Sequence, residues 1–92
     1  MELRTTFSDL KCKEVINISD GCRLGYVSDL EIDTDCGKIL TLIIPGPCRL
    51  FGLLGREEDY AVPWQCIRRI GSDIILVDIL LGNVKRPRAK KW

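Results

Sequence analysis

Apolar residues in this chain fall into short runs, each closed by a turn-forming cluster after about ten residues or fewer. Glu14-Val15-Ile16-Asn17-Ile18 reads as a first strand, and Ser19-Asp20-Gly21 turns it into a long second one that ends at Asp33. Asp20-Gly21 is a tight-turn dipeptide, because glycine accepts the positive φ such turns demand. Inside the second strand the apolar phase changes. Leu24 and Tyr26 share a face with Leu30 and Ile32, while Val27 falls on the other beside Asp29, so a β-bulge is expected near Ser28-Asp29. Gly25 removes a side chain there, as where two backbones approach closely or a barrel wall bends.

Thr34-Asp35-Cys36-Gly37 is a second turn, followed by Lys38–Ile44, apolar on almost both faces and therefore central. Pro45, which donates no ladder hydrogen bond, closes it. Residues 58–64 resume as a strand with Tyr60, Val62 and Trp64 on one face, and Trp64–Cys66 reads as one helical turn leading into Ile67–Ile70. Gly71-Ser72-Asp73 turns into a last strand over 74–81, and Gly82-Asn83 is expected to end regular structure. Near the start, Phe7–Leu10 suits one short helical turn. No segment keeps a helical period and no internal repeat is present. The pattern predicts an all-β, small, strongly bent β-barrel of about six strands with a short helical turn.

Length and charge sharpen the division of the chain. Ninety-two residues fit one domain with a modest core. Residues 1–83 carry 9 basic and 13 acidic side chains, whereas 84–92 carry 5 basic and none acidic. The expectation is therefore a domain over 1–83 and a basic, disordered tail over 84–92. No apolar run reaches the length of a membrane span and the first residues lack a leader pattern, which makes a cytoplasmic, non-membrane protein the expectation.

Candidate chemistry is sparse. The chain has no histidine, the commonest general base, and its five cysteines (Cys12, Cys22, Cys36, Cys48, Cys66) are scattered without a C-x-x-C pair. No catalytic residues, no metal site and no cofactor are expected, and the cysteines read as reduced thiols serving as small semi-apolar residues. Gly52-Leu53-Leu54-Gly55-Arg56 lacks the Lys-Ser/Thr ending of a phosphate loop. Asp29, Asp33 and Asp35 are candidates for a carboxylate cluster, set against the simpler expectation that they cap turns and strand ends.

The more informative segment is 45–57, where prolines and glycines interrupt the strands yet Leu50, Phe51, Leu53 and Leu54 cluster. Loops longer than about 12 residues in compact domains are commonly functional or disordered. These four side chains are the candidate protein-interaction site, for a homodimer or a larger protein partner, against the alternative of a flap over the chain's own core. Lys85, Arg86, Arg88, Lys90 and Lys91 are the candidate contacts to nucleic acid or acidic lipid phosphates.

In order and spacing, Gly21, Leu24-Gly25-Tyr26-Val27-Ser28-Asp29-Leu30-Glu31-Ile32-Asp33, Gly37-Lys38-Ile39, Val62-Pro63-Trp64 and Ile67 through Val77 resemble a PRC-barrel domain. Gly21, Leu24, Gly25, Val27, Asp29, Ile32, Asp33, Pro63 and Trp64 form the core of that motif. Asp9-Leu10-Lys11, Lys13–Asn17 and Leu42-Ile43-Ile44-Pro45 are similar to the YlmC/YmxH group of small PRC-barrel proteins associated with endospore formation. The resemblance covers about residues 3–79. It departs at Cys22, where a small residue is usual, and it does not cover the basic tail. It implies a strongly bent barrel used as a non-enzymatic interaction module, with a link to sporulation. The alternative is an RNA- or ribosome-associated accessory factor that uses the tail.

Overall fold

The computed structural model describes residues 4–46 and 58–87. A short helix α1 (Phe7–Lys11) precedes strands β1 (Glu14–Asn17), β2 (Arg23–Tyr26), β3 (Asp29–Asp33), β4 (Lys38–Pro45) and β5 (Glu58–Pro63). A single 3-10 turn (Trp64–Cys66) leads into β6 (Ile67–Ile70) and β7 (Ile74–Val77), and the described chain ends with α2 (Leu81–Val84) and β8 (Lys85–Pro87). The strands form two four-stranded sheets, ordered β2-β1-β7-β6 and β3-β4-β5-β8. The chain is thus mostly β as expected, but the described residues hold eight strands rather than about six, and the sheets do not close into one barrel.

Local chemistry accounts for the small elements. Thr6 caps α1 in a reciprocal box: its hydroxyl accepts the Asp9 N–H at 3.1 Å, and an Asp9 carboxylate oxygen accepts the Thr6 N–H at 3.3 Å. At Asp20-Gly21 the expected tight turn is present, with Gly21 at φ 73° and the Asp20 carboxylate accepting the Cys22 N–H at 2.9 Å. β4 is indeed central to its sheet, between β3 and β5.

Four expectations need correction. The strand expected over 21–33 is two strands in different sheets, because the chain crosses at Val27-Ser28 and the Ser28 N–H joins the second sheet by bonding the Ile43 carbonyl at 2.8 Å. The expected bulge at Ser28-Asp29 is therefore absent. Register instead shifts between Glu31 and Ile32 against β4, and between Val15 and Ile16 against β2. That second shift explains Gly25: it sits beside the irregularity at φ 114°, a conformation side chains disfavour. A Cβ there would meet only Ile44 Cγ2, at an ordinary 3.7 Å, so the reason for glycine is its dihedral and not a close backbone approach. Finally, order does not stop at Asn83. Val84 is buried and Lys85–Pro87 pair antiparallel with β5, so the basic segment begins as a strand rather than as a disordered tail.

The core lies where the two sheets face each other. Val15, Leu24, Ile75 and Val77 from the first sheet meet Leu42, Ile44 and Val62 from the second in one cluster, which Leu10, Val27, Ile79 and Val84 extend. Strict alternation along β1, β7 and the second half of β4 sends every other residue into this layer. Phe7, Trp64, Ile67 and Ile70 pack around its rim, half-buried.

Candidate interaction surface

One ion pair spans the face of the second sheet from one edge strand to the other. β3 and β8 are separated by β4 and β5, which in a flat sheet places them about 14 Å apart. Even so, the Arg86 guanidinium on β8 donates to the Glu31 carboxylate on β3 at 2.5 Å. Glu31 is paired with Thr41, whose side chain also bonds the carboxylate. The Arg86 hydrogen bond is the largest influence on the Glu31 carboxyl, and with the Arg86 charge and the Thr41 bond it holds the group below its ordinary value of 4.5 against the opposing effects of burial and of the Asp29 charge. Both partners are more than two-fifths exposed, so water screens the pair.

At the other end of β3, Asp33 closes the hairpin to β4. Its carboxylate accepts the Asp35 N–H at 2.9 Å, and this bond, followed by one from the Cys36 side chain, lowers its pKa. Asp29 accepts the N–H of the next residue, Leu30, at 2.8 Å. A five-residue strand separates Asp29 from Asp33, about 13 Å end to end, so these two carboxylates do not converge. Among the described residues no group of three or more Cys, Asp or Glu is placed to hold a metal ion. Cys12, Cys22, Cys36 and Cys66 are free thiols, and Cys48 lies outside the described residues.

The remaining motif residues are mainly architectural. Leu24 and Val27 are buried, Pro63 ends β5 opposite Thr41, and Trp64 begins the 3-10 turn and packs on the core. Ile32, expected to share an apolar face with Leu24, is instead half-exposed: Leu30 two residues earlier still packs on the core, and the register shift between Glu31 and Ile32 separates the two. Ile32 lies opposite Ile39 beside the bulge, next to half-exposed Leu40, and Tyr26, Ile18 and Leu80 are also exposed. The candidate interaction residues Leu50, Phe51, Leu53 and Leu54 lie outside the described residues, as do Arg88, Lys90 and Lys91. Of the basic candidates, Lys85 and Arg86 are placed on β8.

Sequence reasoning missed Asn17, the sole buried polar residue among those described. Its side chain acts as a backbone peptide would: Nδ2 donates to the Ile79 carbonyl at 3.0 Å and Oδ1 accepts the Ile79 N–H at 3.1 Å. The Ser19 hydroxyl, with one hydrogen to give, lies within reach of two acceptors, the Ile79 carbonyl at 2.9 Å and Asn17 Oδ1 at 3.2 Å. The signal available was an amide at an inward position of an otherwise apolar strand, which demands a partner.

Two facing, mostly antiparallel sheets with the strand motif at 21–33 and Val62-Pro63-Trp64 define a small β-domain of one class: the chain belongs to the PRC-barrel family, whose domain model matches residues 5–84. Among individual proteins, it is similar to the probable sporulation protein YlmC of Bacillus subtilis, with 39% identity over 78% of this chain and 89% of that protein. It is also 42% identical to the uncharacterized protein YmxH of Bacillus subtilis, over 78% of this chain and 86% of YmxH. An uncharacterized protein of Clostridium acetobutylicum matches at 39% identity over 75% of this chain and 78% of its own length. No helix among the described residues is long and apolar enough to cross a membrane.

Proposed function

We propose that this chain is a non-enzymatic protein-interaction module of the cytoplasm that associates with itself and serves the sporulation programme. The sporulation link is supported by its similarity to a protein named as a probable sporulation protein, along most of the length of both. The observation that carries self-association is the cluster Leu50, Phe51, Leu53 and Leu54 between Pro47 and Gly55. Burying each such side chain stabilises by about 1.5–3 kcal/mol, so four together favour a covered state over a solvated one. A domain of this size has little surface of its own to cover them with.

The test is oligomeric state. Wild type is expected to run as a dimer by multi-angle light scattering, and Phe51→Ser with Leu53→Ser to run as a monomer with an unchanged circular dichroism spectrum. A monomeric wild type whose double variant unfolds would place these residues in a lid and end the proposal. Phosphate binding by the basic segment is the weaker reading, since Arg86 is already engaged by Glu31.

A further inference from the structure

The outer edge of β5 is closed by three residues that lie just past the stretch matching the family's domain. The domain match stops at residue 84, and β8 begins at Lys85. Without β8, β5 would present unpaired N–H and C=O groups, the usual template for an added strand. The occupant is charge-matched to the site. Arg86 lies opposite Asp59 in the ladder, and its guanidinium reaches across the sheet face to Glu31 on the far strand. The strand is short: it makes three residue pairs with β5, its Arg86 forms an exposed ion pair with Glu31, and Val84 just before it is buried in the core.

We propose that the β5 edge is a docking groove for an extended basic segment of a partner protein, with an arginine reaching Glu31, and that residues 85–87 are its displaceable occupant in cis. Main-chain pairing with β5 supplies affinity, and Glu31 selects the register by selecting the arginine. The cis strand lowers the apparent affinity for a partner by the fraction of time it occupies the edge. This inference rests on the reading of the chain as an interaction module. It does not depend on residues 50–54, so the oligomer test and the one below fail independently.

The probe is a fluorescein-labelled peptide with the sequence of residues 83–90, titrated by anisotropy against the full chain. Arg86→Glu sets a carboxylate against Glu31 and loosens the cis strand, so the peptide should bind this variant at least about fivefold more tightly than wild type. Adding Glu31→Lys to Arg86→Glu restores an ion pair in cis and should abolish that gain. Equal affinity for wild type and Arg86→Glu, or a gain that survives Glu31→Lys, overturns the proposal. Amide hydrogen exchange on wild type gives a measure that needs no variant. Whichever of the consecutive Lys85 and Arg86 amides bonds to β5 should exchange through a local opening, at least about tenfold faster than Val15 and Val77. Exchange as slow as that of the core would show that the strand is not displaceable.

Discussion

Replacing Asn17 tests how the first sheet is held together at its centre. The amide is fully buried and answers both the N–H and the C=O of Ile79, just past the end of β7. In Asn17→Ala the Ile79 carbonyl keeps the Ser19 hydroxyl, but the Ile79 N–H loses its acceptor. An unsatisfied buried donor costs about 1–3 kcal/mol, and the lost packing raises the total to roughly 2–4 kcal/mol. For a chain of this length 1 kcal/mol shifts the melting temperature by about 5 °C, so a fall of about 10–20 °C is expected in a calorimetric scan. Asn17→Asp supplies a second reading with a sign. Its carboxylate would face the Ile79 carbonyl without a hydrogen to share, which raises its folded pKa above the unfolded value of about 3.9. The ionisation penalty is absent while the group is protonated in both states, below about pH 4, and grows as pH rises until it is complete above the folded pKa. The gap between Asn17→Asp and wild type should therefore widen from about pH 4 to about pH 7. A loss below about 1 kcal/mol for Asn17→Ala, or a deficit in Asn17→Asp that is indifferent to pH, would refute the peptide-mimic account.

Other outcomes follow from the same geometry. Gly25→Ala should cost about 1–3 kcal/mol by urea titration, since the dihedral is strained for any side chain while a Cβ meets Ile44 only at an ordinary distance. A loss no larger than that of an ordinary strand Gly→Ala change would refute the dihedral explanation. Glu31 and Asp33 both have lowered folded pKa values, so their contribution is full above the ordinary carboxylate range and is lost as pH falls through the folded values. Glu31→Gln should accordingly flatten part of the acid limb of a melting-temperature profile below about pH 4.5, and an unchanged limb would show that the Arg86 contact is immaterial. With four free thiols among the described residues, stability should be equal with and without a reductant, and a large drop on reduction would expose a cross-link.

What was legible in the sequence was what short-range chemistry determines. The turn at Asp20-Gly21, the helical turns at Phe7 and Trp64, and the central place of the Lys38–Ile44 run all follow from neighbours a few residues apart. Misreadings arose where a distant contact decides. Period-2 alternation cannot show that a strand changes sheets at Val27-Ser28, because the residues on either side look equally β. Lys85-Arg86-Pro87 reads as a solvated basic end until β5 and Glu31 are placed beside it. Asn17 finds its partner at Ile79, far along the chain, and nothing local to either residue announces the pairing.

The parallel pairing of β1 with β7 sets a timetable for synthesis. Glu14 meets Ile74 and Asn17 meets Val77, whereas β1 meets β2, and β3 meets β4, across short turns. On a nascent chain these two hairpins close early, but the far edge of β1 stays open until the residues around 74–77 have been made. At about 5–20 residues per second the intervening stretch takes roughly 3–12 s to translate. For that interval Val15 and the backbone groups of β1 face the cell without their partner. A slow tract of codons between the two strands would lengthen that exposure, and with it the time in which a neighbouring nascent chain can pair with β1 first.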